Sequence, residues 1–252
     1  RAIKQLDAVH PVSIAVSGLL DKEYKYAAGA DIVGLQFTSI PAGTFEFPWD
    51  DPAHIGDFYA PAQAIGKPFL ANIYVYNIAK DVYIWPKDIP KSKGRYPTRE
   101  EIRFLAYASI IHGAQGLLFN CYRFDYGEGL GGDDISRKKN PKQWAEVASV
   151  ALELNAMSPV LLERSKELQE VGVTLDGDAK IESMAKEHQG KTFLFIANPS
   201  PQDVELRIQL APDRFLNPSI ELLPEKQQIH LRDSAFTDSW LPYEVRIYEV
   251  AS

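Results

Sequence analysis

The residues that could do chemistry fall on alternate positions of four short apolar segments. In "KPFLANIYVYN" (67–77), Phe69, Ala71, Ile73 and Val75 share one side, and Leu70, Asn72, Tyr74 and Tyr76 share the other, because successive strand side chains point to opposite faces. "DIVGLQFTSIP" (31–41) sets Gln36 and Thr38 against Val33, Leu35 and Phe37. "GLLFNCYRF" (116–124) sets Asn120 and Tyr122 against Phe119 and Cys121, and Ser17 holds the comparable place in "HPVSIAVSG" (10–18). One side of each strand is therefore apolar, while the other offers hydroxyl, amide and phenol groups. Such groups donate and accept hydrogen bonds without fixed charge, which is what a polyhydroxylated ligand such as a sugar requires. Phe47, Trp49, Tyr83 and Trp85 lie in the segments after the second and third strands, where aromatic rings could stack on the apolar faces of sugar rings.

Acid–base chemistry on such a ligand needs carboxylates, and the sequence places them in loops. Glu46 is the candidate general acid, because Phe45 and Phe47 flank it and partial desolvation raises a carboxyl pKa. Asp50, Asp51, Asp81 and Asp88 read as solvated loop charges. Asp125 and Glu128 belong to the glycine-rich "RFDYGEGLGGDD", which could fold over a bound ligand. No Asp or Glu occurs between Lys67 and Asn77.

Other chemistries lack their motifs. "GEGLGG" (127–132) follows a strand but does not open directly into a helix as a GxGxxG fingerprint must, and no GK[ST] follows it, so a phosphate cradle is not expected. His10, His54, His112, His188 and His230 form no HExxH or HxH pair, and the single cysteine, Cys121, allows no CxxC. No metal site and no cofactor are expected. A GxSxG elbow is absent as well.

The elements that must position these residues alternate. Each of the four strands is followed by a helical pattern or a helix-start signal. Asp21 caps a helix through "DKEYKYAAGA", and a second helix over 53–65 ends at Gly66. Thr98 with Glu101 has capping-box spacing, and Ile102, Leu105, Ala106, Ser109, Ile110 and Gly113 form one stripe behind it. Asn140 and Pro141 open "WAEVASVALELNAM" as the fourth helix. This β–α alternation implies a parallel sheet covered by helices. From about Glu170 the pattern changes to a period of two, with bends at Gly190 and Pro199 to Pro201, as in an antiparallel β-sandwich. The expected domains are 1–168 and 169–252. Four units followed by a sandwich leave two options: a small open sheet, or the second half of a (β/α)8 barrel, which needs ~250 residues when complete.

The chain has 252 residues, 45% hydrophobic and 24% charged, with net charge −7 and no dense Lys/Arg block. Nucleic acid is therefore not expected as a partner. No apolar run is long enough for a membrane span. The chain starts at Arg1 rather than Met, and we expect a cut inside a longer precursor.

In order, "DIVGLQFTSIP", "GKPFLANIYVYN", "RYPTREEIRFLAYASIIHGAQGLLFNCYRF" and "LPYEVRIYEV" resemble strands six to eight and the C-terminal domain of glycoside hydrolases built on a (β/α)8 barrel. The resemblance implies an α/β plus all-β fold: strands five to eight of a TIM barrel followed by an antiparallel β-sandwich. It implies hydrolysis of a glycosidic bond in a carbohydrate substrate, and a complementary N-terminal half-barrel chain or segment. That half would supply at least one acid. It also favours a secreted or periplasmic location. By the same resemblance Gln36, Trp49, Asn72, Tyr74, Tyr76, Trp85, Asn120 and Tyr122 would bind substrate. Tyr74 occupies the place where the family carries its nucleophilic Glu or a related Gln. That departure keeps open a non-catalytic glycan-binding relative; a structural α/β domain with a sandwich is the third reading.

Overall fold

The computed structural model describes residues 9–17, 27, 29–37, 52–75, 95–120, 123–125, 132–134 and 138–251. The chain divides into two compact units, 1–149 and 150–252. The division falls inside the helix Pro141–Leu161, upstream of the change in sequence texture.

In the first unit, β1 (Ser13–Ser17), β2 (Ile32–Phe37), β3 (Phe69–Tyr74) and β4 (Gly116–Asn120) lie side by side in chain order. Every adjacent pair is parallel. The strands are shorter than their apolar segments. β4 ends at Asn120 rather than at 124, and Arg123–Asp125 (β5) instead pairs antiparallel with Gly132–Asp134 (β6). Arg123 and Asp125 alternate with Phe124, a pattern that suits a two-faced ribbon better than a parallel strand covered on both sides.

Helix α1 (Ile55–Ile65) ends where Gly66 turns left-handed at φ 68° and donates to the Gln63 carbonyl. Its buried Ile55, Phe58, Tyr59 and Ala62 repeat at helical spacing. The Tyr59 ring stacks on Phe69 at 5.3 Å. Its hydroxyl donates to Ser109 Oγ (2.9 Å), which in turn donates to the Leu105 carbonyl (2.6 Å).

Ser109 and Leu105 belong to α2 (Arg99–Ile111). Thr98 caps this helix with the reciprocal box that its spacing predicts: Thr98 Oγ1 accepts from the Glu101 amide, and Glu101 Oε2 accepts from the Thr98 amide. The expected single stripe is too narrow, since all residues from Glu101 to Ser109 are buried. Two charged side chains manage this because each has a specific companion. Glu101 receives a two-pronged bond from Arg95 at 2.7 and 2.6 Å, and the Arg103 guanidinium lies 5.1 Å from the Tyr107 ring centre. His112 closes the helix, its backbone amide donating to the Ala108 carbonyl. Helix α3 is Pro141–Leu161.

The second unit is antiparallel. Gly172, at φ 72°, ends a short 3-10 turn and leads into β7 (Val173–Asp176). There follow β8 (Glu182–His188), β9 (Lys191–Ala197), β10 (Val204–Leu210), β11 (Ser219–Leu223), β12 (Gln227–Ile229), β13 (Ala235–Trp240) and β14 (Val245–Ala251). They form one sheet in the order β13-β10-β7 and another in the order β12-β11-β14-β9-β8. Both sheets contribute to one apolar core: Val173, Leu206, Ile208 and Trp240 from the first, Leu194, Ile196, Ile220 and Tyr248 from the second. Trp240 Nε1 donates across it to the Ile196 carbonyl at 3.2 Å.

Asp238 is the polar hub of this core's edge. It accepts from the Tyr248 hydroxyl at 2.7 Å and from Arg246 Nη1. Arg246 also reaches Glu244 at 3.1 Å and lies 5.7 Å from the Trp240 ring centre. Burial first, then the bond to Asp238, holds the Tyr248 phenol well above its ordinary pKa. Lys186 is buried, and its Nζ donates to the Glu163 carbonyl at 2.6 Å. Burial lowers its pKa, opposed in part by the Glu163 carboxylate.

Two outcomes are expected. Asp238→Ala leaves the phenol without its acceptor and the guanidinium with Glu244 alone, and should cost about 2–3 kcal/mol, read as a lower urea midpoint at unchanged slope. For Lys186, the folded pKa lies below the unfolded 10.5. The unfolded chain thus binds more protons between those two values, and stability rises with pH across that window. Lys186→Met should abolish this rise, so urea melts of wild type and variant should draw apart in the wild type's favour towards pH 10. A constant difference at pH 7 and pH 10 would contradict the assignment.

Candidate functional site

The register shows how the sequence-selected residues line up across the parallel sheet. Ser17 is opposite Gln36, Gln36 opposite Asn72, and Asn72 opposite Leu118. One step further along, Tyr74 is opposite Asn120. One step back, Ala15, Gly34, Leu70 and Gly116 form the preceding row on the same face. Small residues in that row make room for Leu70: a Cβ on Gly116 would fall 2.6 Å from Leu70 Cδ2. Because all pairs are parallel, the C-terminal ends of the four strands, with Ser17, Tyr74 and Asn120, share one edge.

The two faces are chemically distinct. Val33, Leu35, Ala71 and Ile73 are fully buried on the face that α1 and α2 cover. On the other face Leu118 is 50% exposed, Leu70, Asn72 and Asn120 are half-buried, and Tyr74 is buried. Asn72 Oδ1 is enclosed and has no hydrogen-bond partner among the described residues. A buried acceptor that stays without a donor costs about 1–3 kcal/mol.

The edge where the strands end is fastened by side chains that the sequence reading had seen only as a helix start. The Val75 amide donates to the Asn120 carbonyl at 2.6 Å. Gln143 Nε2, in the first turn of α3, donates to the carbonyls of Val75 (2.9 Å) and Pro97 (3.3 Å). The Tyr96 hydroxyl donates to Asn140 Oδ1 at 3.3 Å. Beside this junction opens a cleft of about 340 Å³, lined in part by Tyr96, Thr98, Asn140, Lys142 and Glu146. Asn140 and Gln143 have capping-box spacing, and that local signal hides the tertiary use of the Gln143 amide.

The structure thus brings Asn72, Tyr74 and Asn120 together on one face, with the backbones of Ser17 and Gln36 in the same rows. The side chains of Ser17 and Gln36, and all of Glu46, Trp49, Tyr76, Trp85 and Tyr122, lie outside the described residues. Among the described residues no group of three or more His, Cys, Asp or Glu side chains could hold a metal ion, and no helix is long and apolar enough to cross a membrane.

No family model and no curated protein matches the chain. Solved structures do resemble it, and they are (β/α)8 glycoside hydrolases. AmyP in complex with maltotriose superposes with a TM-score of 0.47 at 9% identity, covering 86% of this chain and 55% of that one. An Anoxybacillus alpha-amylase gives 0.44 at 12% identity, covering 91% and 54%. A β-L-arabinopyranosidase from Geobacillus stearothermophilus in complex with arabinose gives 0.42 at 12% identity, covering 92% and 61%. The chain spans about half the length of these proteins. Overlaps this partial assign no residue a role.

The isolated acceptor of Asn72 yields a test. Asn72→Leu replaces it with an apolar side chain of similar size and should raise the unfolding free energy by about 1 kcal/mol. Denaturant titration of the two proteins measures the difference. A loss of stability on this substitution would mean that Asn72 is satisfied after all.

Proposed function

We propose that this chain carries strands five to eight of a (β/α)8 barrel followed by a β-sandwich, and that the complete protein hydrolyses glycosidic bonds. In this reading β1 to β4 are the later half of the ring, and the face bearing Asn72, Tyr74 and Asn120 looks into it. Active sites of such barrels sit at the C-terminal ends of the strands, the edge where Tyr74 and Asn120 stand opposite one another. The observation that carries the reading is the isolated, enclosed Asn72 Oδ1 on that face, flanked in register by Gln36. An acceptor kept without a partner at this place suits a ligand hydroxyl that arrives as the donor.

Glycoside hydrolysis takes two carboxylic acids, ~5–5.5 Å apart for retention and ~6.5–9.5 Å apart for inversion. Glu46 is our candidate for one. The other would come from a complementary half-barrel segment. Gln36, Trp49, Asn72, Tyr74, Tyr76, Trp85, Asn120 and Tyr122 are our candidates for substrate contact. One observation favours a second reading, a glycan-binding relative that does not hydrolyse: the segment from Lys67 to Asn77 has no carboxylate at all.

A glycan panel separates the two. The intact protein that carries this chain should release reducing sugar from at least one member, and Glu46→Gln should lower the turnover by about a hundredfold or more, as expected for the loss of a general acid. Binding without release would support the second reading. Neither binding nor release would overturn both.

A further inference from the structure

We propose that Gln143 is the positioning residue of the candidate site: a single buried amide that fixes the edge where β3 and β4 end. The inference rests on the reading of that edge as a glycan site, but the clamp itself stands on geometry alone.

Gln143 is 5% exposed, and its Nε2 donates to two backbone carbonyls far apart in sequence, those of Val75 and Pro97. Val75 follows directly on Tyr74, and its own amide donates to the Asn120 carbonyl. Val75 is therefore held on both sides, by Asn120 through its N–H and by Gln143 through its C=O. Tyr74 and Asn120, the pair in register on the open face, are joined through this one residue. Pro97 immediately precedes the cap of α2, and Gln143 is in the first turn of α3. One side chain thus ties the exit of β3, the entry of α2 and the start of α3 to a common point.

Among the described residues the neighbouring side chains make other bonds. The Tyr96 hydroxyl donates to Asn140, and the Arg95–Glu101 pair serves the α2 cap. Val75 and Pro97 are both buried, with Pro97 and Gln143 at the wall of the cleft, and among the described residues Gln143 is the side chain that donates to both carbonyls. Such groups are satisfied or the backbone moves. The amide therefore sets where Tyr74 and Asn120 stand relative to a ligand, without touching that ligand itself.

Amide hydrogen exchange on the full chain tests the clamp independently of any sugar. In Gln143→Met, which keeps the volume and removes the donors, the protection of the Val75 amide should fall by about tenfold or more, as a locally opened edge exchanges. The Leu194 amide, in the core of the other unit, should be unchanged. Gln143→Glu guards against misfolding of the first variant. A carboxyl facing two carbonyls loses the bond when ionised and regains one donor when protonated, so Val75 protection should be low at neutral pH and recover in acid. Equal protection of Val75 in wild type and both variants, or a fall matched at Leu194, would overturn the proposal. In the intact protein, the dissociation constant for the panel's tightest glycan should weaken by about tenfold in Gln143→Met; an unchanged constant would also overturn it. Absence of glycan binding by the wild type would fail the functional reading while leaving the exchange result to stand.

Discussion

Parallel pairing of β1 to β4 is the constraint on which the rest depends. Parallel neighbours cannot be joined by tight turns, so each strand is reached by a crossover, and all strand ends of one kind collect at one edge. The crossovers α1 and α2 cover one face, which fixes Val33, Leu35, Ala71 and Ile73 as core. The alternation of the strand then obliges Asn72, Tyr74 and Asn120 onto the opposite face. The strand-borne part of the candidate site follows from this periodicity, and it is placed before a single side-chain contact is considered.

A parallel sheet is ordinarily covered on both faces. Here the second face bears a half-exposed Leu118 beside an amide oxygen, Asn72 Oδ1, that has no partner among the described residues. Under our proposal both features have one cause, since the interior of a barrel is filled by layers of side chains from every strand. Apolar Leu70 and Leu118 would be filled against, and Asn72 would meet either a donor from the opposite wall or a ligand. The antiparallel unit obeys different physics. Its two sheets bury their inner faces against each other, and its charged groups close on one another, as Asp238, Arg246 and Tyr248 do.

Much of this was legible in the sequence, and the reasons are specific. Thr98 and Glu101 announced the start of α2 because a capping box is a local device, and Gly66 announced the end of α1 because only a left-handed residue finishes it so. The face assignments of Asn72, Tyr74 and Asn120 followed from a period of two. Burial of α2 from Glu101 to Ser109 was not legible, because a sequence stripe registers hydrophobicity and cannot foresee that Arg95 and Tyr107 would make a buried Glu101 and Arg103 tolerable. The end of β4 was overrun for a similar reason: Arg123 and Asp125 joined a separate ribbon with residues 132–134. Gln143 was the largest omission at the site. Its role depends on Val75 and Pro97, neither of which is near it in sequence, and nothing in its own surroundings distinguishes it from an ordinary first-turn residue.

The central claim, that β1 to β4 are an arc of a larger ring, is tested most directly at the two outer strands. Amide exchange should be measured across Ser13–Ser17 and Gly116–Asn120 in the intact protein that carries this chain. The account predicts strong protection along both strands, including the amides that face away from β2 and β3, because further parallel strands would pair with them. Exchange of those outward amides at the rate of exposed peptide, in a protein otherwise stably folded, would mean that the sheet ends where β1 and β4 end, and would contradict the account.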